Sequence, residues 1–157
     1  MAVLEAAMTR AFCISALALG ALLAAPAAAQ RRAPQVEPGV PLQFGVIAAG
    51  GRAGSITISP DGAVRCDGLQ CIGGARAGDF YVTGPKDFAV AVSIAPTLLR
   101  NASGMTIAVS FTPSVNTLVL RPGNRQNRFT VGGTMRLAAQ QPPGEYRGDY
   151  LVVLEYL

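Results

Sequence analysis

Histidine and tryptophan are both absent from this sequence of 157 residues. Histidine is the commonest general base in enzymes and the commonest metal ligand, so its absence removes the usual partner of a serine or cysteine nucleophile. Charged residues are also scarce, at 14% of the chain, which leaves few carboxylates for acid–base catalysis. We therefore expect a non-enzymatic protein with no catalytic, cofactor-binding or metal-binding residues.

The remaining groups that could carry chemistry stand where turns are expected. The only lysine, Lys86, lies in the turn-like stretch Gly84–Asp87. The glycine-rich stretch Gly50–Gly54 joins two predicted strands rather than opening a helix, so it lacks the geometry of a phosphate-binding loop. We interpret both stretches as solvated loops.

The longest apolar run lies near the amino terminus. Arg10 precedes the run Ala11–Ala25, and small residues then lead to Ala29 and Gln30. A helix that spans a bilayer needs about 20 apolar residues, so this shorter run with a small-x-small pattern behind it favours a signal peptide over an uncleaved anchor. We predict a signal peptide over residues 1–29, with cleavage between Ala29 and Gln30.

The leader predicts that the protein is exported. Translation could begin at Met1 or at Met8, since Met8 gives the more typical start of a signal peptide. The mature chain is expected to lack a transmembrane span and to reach the periplasm, the cell surface or the medium. Residues 30–41 contain three prolines and are predicted to be a linker, followed by one folded domain over residues 42–157.

Cys66 and Cys71 are the two cysteines outside the leader. An even number of cysteines in an exported chain favours a disulfide. Asp67-Gly68 is a turn signal, and a hairpin at this point would set the two cysteines opposite each other within disulfide range. We predict a disulfide that contributes about 2 kcal/mol, because the spacing does not match a zinc site and neither a histidine nor a further cysteine is available.

From residue 42 onward, apolar and polar residues alternate repeatedly. The clearest stripes are Phe88–Ile94, Met105–Phe111 and Phe129–Leu137, and a last one runs over Tyr146–Tyr156. Turn residues follow about every ten positions, and no segment after the leader has a helical stripe of useful length. The pattern predicts an all-β fold: a single antiparallel β-sandwich or barrel of about seven to nine strands.

Several motifs together carry a resemblance to a known family. They are Leu42–Gly45, Ser55–Gly62, Ile72–Gly74, Phe129–Met135 and Gln141–Tyr156. These stretches resemble the bacterial domain-of-unknown-function 4402 family. More distantly, the ending is similar to spore-coat protein U-like and chaperone–usher pilin-like subunits, whose last strand also reads Pro-x-Gly-x-Tyr before an alternating run. The resemblance implies an exported immunoglobulin-like sandwich with no established enzymatic activity.

The formal net charge of +4 has one cluster, formed by Arg121, Arg125 and Arg128. A nucleic-acid site would need more positive charge with aromatic residues between the arginines, so we expect no nucleic-acid partner. We interpret the cluster as a candidate contact loop, which could bind an acidic surface glycan.

Two functions are consistent with these observations. The first is a structural or adhesive envelope module, pilin-like, whose partners are copies of itself or other envelope or pilus subunits. Pilin-like subunits donate a strand to a neighbour's incomplete sandwich, and the sequence ends directly after its terminal strand, although Val36 and Val40 are the only apolar residues that Gln30–Pro41 offers as a donor. The alternative is a soluble periplasmic or secreted module that recognises a glycan or a protein through its loops.

Overall fold

A computed structural model describes residues 33–123 and 126–157 of the chain. The predicted signal peptide with its cleavage site at Ala29 and Gln30, and Arg125 of the predicted contact loop, lie outside these residues. Every strand pairing in the described part is antiparallel. The twelve strands of the described residues are β1 (Gln35–Pro38), β2 (Val46–Ala48), β3 (Gly54–Ile58), β4 (Val64–Asp67), β5 (Gln70–Gly73), β6 (Gly78–Thr83), β7 (Ala89–Ile94), β8 (Thr97–Arg100), β9 (Thr106–Pro113), β10 (Thr117–Val119), β11 (Arg128–Leu137) and β12 (Val152–Tyr156).

The strands form one large and two small sheets. Strand β11 is the centre of the seven-stranded sheet: on one side it pairs first with β6 and then with β3, and on the other side with β9. Strands β1, β4 and β8 complete this sheet by pairing with β6, β3 and β9 respectively. Strands β10, β7 and β12 form a three-stranded sheet in that order, and β2 pairs with β5. In the described part of the chain, no helix has the length and apolarity needed to cross a bilayer.

The buried side chains form two clusters that share β11. We call the first the closed cluster, because it draws on both the seven-stranded and the three-stranded sheets: Phe80, Val82, Val90, Val92, Leu120, Phe129 and Val131. The second draws all its buried residues from the seven-stranded sheet, and we call it the open cluster: Ile56, Ile58, Ile107, Val109, Met135 and Leu137.

The prediction of an all-β sandwich is confirmed, with twelve strands in the described residues where about seven to nine were expected. The linker prediction is wrong for residues 35–38, which form β1. Proline is tolerated in an edge strand and at strand ends, and β1 lies at the edge of its sheet with Pro38 as its last residue. The predicted terminal strand over Tyr146–Tyr156 is reduced to β12, because the residues before Val152 do not pair with β7.

The predicted disulfide is present, with the Cα atoms of Cys66 and Cys71 6.4 Å apart. Its setting differs from the expected hairpin. Strand β4, with Cys66, pairs with β3 of the seven-stranded sheet, whereas β5, with Cys71, pairs with β2. The bond therefore joins two sheets, and both cysteines pack against the open cluster.

Candidate functional site

A groove of about 1520 Å³ lies over the open cluster. One wall is residues 41–49, which end in β2, and the other is residues 141–150, which connect β11 to β12. Side chains from these walls, including those of Phe44 and Tyr146, pack against the cluster and leave its buried residues at most 7% exposed. The floor consists of apolar side chains from β8, β9 and β11: Leu99, Ile107, Val109, Phe111, Met135 and Leu137.

Each wall is anchored on its outer side by a pair of main-chain hydrogen bonds. Gln43 exchanges bonds of 3.0 and 2.8 Å with Arg76, and Arg147 exchanges bonds of 2.9 and 2.7 Å with Arg100. In an extended chain, successive residues direct their main-chain groups to opposite sides. The main-chain groups of Leu42 and Tyr146 are therefore expected on the sides opposite to Arg76 and Arg100.

Gly45 allows the first wall to approach β5. Its φ of +76° lies in the region that favours glycine. A Cβ atom at this position would lie 2.1 Å from the carbonyl oxygen of Gly73, so any other residue would push the wall away. The glycine of the Leu42–Gly45 motif thus has a specific structural role.

Tyr150 closes the end of the groove that faces the closed cluster. Its ring stacks on Phe111 with the centroids 4.5 Å apart, and it meets Phe80 edge-on at 6.0 Å. Its hydroxyl group accepts a hydrogen bond from the main-chain N–H of Leu42, which connects the two walls. Burial raises the pKa of Tyr150 above its ordinary value, and the bond from Leu42 offsets part of that increase.

Strand β12 begins two residues after Tyr150 and forms an edge of the three-stranded sheet. It pairs with β7 on one side, and no described strand pairs with its other side. Its residues Val152, Val153 and Leu154 are only half-buried. The main-chain groups of an edge strand are a template for pairing with another chain. Residues 141–150 form a wall of the groove and β12 begins two residues later, so the groove and the edge of β12 lie on one continuous segment of the chain.

The predicted contact loop is held by interactions within the protein. Arg128 donates a hydrogen bond of 2.5 Å from Nε to Oδ1 of Asp79, whose residue is only 7% exposed. This bond, together with the charge of Asp79, raises the pKa of Arg128. The buried Asn127 accepts a bond from the main-chain N–H of Arg121 and donates one back to its carbonyl oxygen. Contact between these arginines and a ligand stays a prediction.

Neither the groove nor the edge of β12 was evident from the sequence. The alternation of Tyr146 and Tyr150 with Val152 and Leu154 gave the appearance of one continuous strand. The available signal was Pro142-Pro143-Gly144, since two prolines and a glycine favour an irregular chain before β12. Within residues 33–123 and 126–157, no group of three or more histidine, cysteine or acidic residues could hold a metal ion.

Comparison with known proteins gives one family. The family model with the description "Domain of unknown function (DUF4402)" matches residues 35–156, which include all twelve strands. No curated protein and no solved structure matches the chain significantly. Because the match covers most of the sequence, the chain belongs to the DUF4402 family.

Proposed function

We propose that this protein is a non-enzymatic, exported subunit of a bacterial envelope structure that accepts a β-strand from a partner subunit, as pilin-like proteins do. The observation that carries the proposal is the groove between residues 41–49 and 141–150, over a floor of apolar side chains. Once the wall side chains that cover the floor move aside, an inserted strand with alternating apolar residues would place one row of side chains on it. Its main-chain groups would meet those of the two walls.

The size of the groove supports a polypeptide rather than a small molecule. Pockets for small ligands typically measure about 300–1,000 Å³, whereas this groove measures about 1520 Å³. The second wall of the groove is a continuous segment from Gln141 to Tyr150. A strand that leaves the groove beyond Tyr150 could continue along the outer side of β12, where it would extend the three-stranded sheet.

The partner strand is expected to come from a different envelope subunit. The amino-terminal segment of this chain already forms β1, which pairs with β6, and its Val36 packs against the closed cluster. A second copy would have to give up this pairing to act as a donor. The prolines at positions 34, 38 and 41 also interrupt the alternation that a long donor needs.

The test is photocrosslinking in cells with an unboiled gel of the envelope and medium fractions. The variant Glu155→p-benzoylphenylalanine places the crosslinker on β12, where an added strand would lie about 4.8 Å away. The matched control is Val119→p-benzoylphenylalanine on β10, the opposite edge of the same sheet, where the side chain is 56% exposed.

We expect a heat-sensitive species larger than the monomer and a crosslinked product from position 155 but not from position 119. The protein purified alone should remain monomeric, since its donor comes from another subunit. A single monomer band in all fractions, or equal crosslinking from both positions, would contradict the proposal. A crosslinked product with the mass of two copies of this chain would identify a second copy as the donor.

A further inference from the structure

The main chain places two arginines directly beside each other on the outer side of the second wall. Arg100, the last residue of β8, donates its N–H to the carbonyl oxygen of Arg147 at 2.7 Å, and Arg147 returns the bond at 2.9 Å. Residues that exchange both bonds in this way have Cα atoms about 5.5 Å apart and side chains on the same face. Like charges directly opposite each other destabilise a sheet. This pairing of two arginines is therefore a local electrostatic cost that a bound anion would relieve.

The two arginines border a cleft of about 430 Å³, which shares Pro143–Glu145 and Arg147 of the second wall with the groove. Tyr146 packs against the open cluster and lines the groove but not the cleft, whereas Arg100–Ser103 line the cleft but not the groove. The cleft is lined only by polar or small residues from two short segments, Arg100–Ser103 and Pro143–Arg147 without Tyr146. No large apolar side chain lines it.

A third hydrogen-bond donor faces the same cleft. The Oδ1 atom of Asn101 accepts bonds from the main-chain N–H groups of Ser103, at 3.0 Å, and Met105, at 2.9 Å. These two bonds fix the orientation of the amide and leave its NH₂ group as the remaining polar group. The Nδ2 atom lies 3.5 Å from where a Cβ atom of Gly144 would be, so the NH₂ group faces the second lining segment.

The acceptors in the cleft are fewer than the donors. Glu145 is the only acidic residue in the lining, and it forms an ion pair with Arg147. Both side chains of this pair are more than 70% exposed, so the pair contributes little to stability. Arg100 has no ion pair in the described part of the chain. Arg128, unlike Arg100, forms an ion pair, and its partner Asp79 is largely buried.

We propose that the cleft between Arg100 and Arg147 binds a sulfate or carboxylate group of an acidic polysaccharide. Guanidinium groups donate pairs of hydrogen bonds that match the geometry of oxyanions, and the amide of Asn101 supplies a further donor. The bound anion would neutralise the two adjacent positive charges. The small, polar lining fits a soluble sugar polymer better than a lipid, which would need apolar surface for its acyl chains. The site adjoins the groove along the second wall, and it does not include the predicted loop at Arg121.

The experiment measures binding of the purified protein to immobilised dextran sulfate and polygalacturonate, with neutral dextran as the reference polymer. The test variant is Arg100→Gln/Arg147→Gln. The matched control, Arg52→Gln/Arg65→Gln, removes the same charge outside the cleft. Arg52 lies between β2 and β3, and Arg65 is on β4, four strands from β8 and about 19 Å away. Thermal unfolding of each variant checks folding, and we expect the test variant to be at least as stable as the wild type.

We expect the wild type to bind both acidic polymers and not neutral dextran. Loss of each arginine should weaken binding about tenfold, which is the effect of one hydrogen bond to a charged group, and the control variant should bind nearly as the wild type does. Equal loss in both variants would show binding by net charge alone and overturn the proposal. Binding to phosphatidylglycerol vesicles through the same arginines, without binding to the polymers, would also overturn it in favour of a lipid headgroup.

Discussion

Strand β11 passes through two regions that differ in how they are covered. Its first half carries Phe129 and Val131, which lie in the closed cluster between the seven-stranded and three-stranded sheets. Its second half carries Met135 and Leu137, which lie in the open cluster. This cluster is covered by side chains of the small β2–β5 sheet and of irregular segments, and the groove lies over it. The same strand thus belongs to a complete sandwich at one end and to an incomplete one at the other.

The difference separates two tasks within one small domain. Side chains packed between two sheets cannot rearrange without disrupting both, so the closed cluster is expected to provide most of the stability. The walls of the groove are held by few contacts: the pairing of β2 with β5, two pairs of main-chain hydrogen bonds and the bond between Tyr150 and Leu42. They can therefore part to admit a strand at a lower cost than the closed cluster would require.

The largest expected effect comes from removing an aromatic ring on each side of this boundary. Phe129 is 1% exposed and stacks on Phe80 at 5.4 Å, so Phe129→Ala should lower the free energy of unfolding by about 3–5 kcal/mol. Phe44 is half-buried on a wall of the groove, and Phe44→Ala should cost about 1–2 kcal/mol. Urea denaturation of both variants measures the two values.

The two substitutions should affect partner binding in the opposite order, with Phe44→Ala having the larger effect. Phe44→Ala is expected to weaken formation of the heat-sensitive species in the envelope fraction, because Phe44 lines the proposed acceptor groove. Equal losses of stability in the two variants would show that the groove wall is as firmly packed as the closed cluster, and the distinction between the regions would be lost.

The disulfide provides an intermediate effect that is confined to the open side. Cys66→Ser/Cys71→Ser should lower the free energy of unfolding by about 2 kcal/mol, because so short a loop restricts the unfolded chain only modestly. The bond holds β5, and with it β2 of the groove wall, to the seven-stranded sheet. Hydrogen exchange should therefore show faster exchange in β2 and β5 and unchanged exchange in β6 and β7.

Reduction of the wild-type protein is the control for this variant. The reduced protein and the double serine variant should show the same pattern of exchange. If protection is lost equally in β7, the bond stabilises the whole domain rather than the open side.

The alternation of apolar and polar residues predicted those strands that pack one face against a cluster of buried side chains. The stripes around Val90, Val109 and Val131 correspond to β7, β9 and β11, because a strand with one buried face repeats every two residues. The partners of β11 could not be predicted in this way, since pairing depends on residues far apart in the sequence. At Gly132, where the partner changes from β6 to β3, a Cβ atom would lie 2.2 Å from the carbonyl oxygen of Ile58.

The two proposed sites were beyond prediction for different physical reasons. The stretch Tyr146–Tyr150 has strand-like alternation but forms no strand, because only Arg147 of this stretch pairs with another described residue, Arg100. Periodicity does not report neighbours. The pair formed by Arg100 and Arg147 depends on the register of two distant segments. In contrast, the predicted contact loop was recognised because its arginines are close in sequence, and the structure pairs one of them, Arg128, with Asp79.

The smallest predicted effect concerns Tyr150, which lies at the boundary of the two regions. Tyr150→Phe removes the hydroxyl group that connects the two walls through Leu42, and it should cost about 1 kcal/mol at about pH 8. The pKa of Tyr150 is raised in the folded protein, so the folded state keeps this proton at pH values where the unfolded chain, with a tyrosine pKa near 10, has lost it. The stabilisation is complete below about pH 10 and declines as the pH rises through and beyond that value. Urea denaturation at about pH 8 and about pH 11 should therefore show the wild type losing its advantage over Tyr150→Phe at the higher pH. A constant difference would mean that this hydroxyl titrates as freely as in the unfolded chain, so that the boundary between the closed and open regions is open to water.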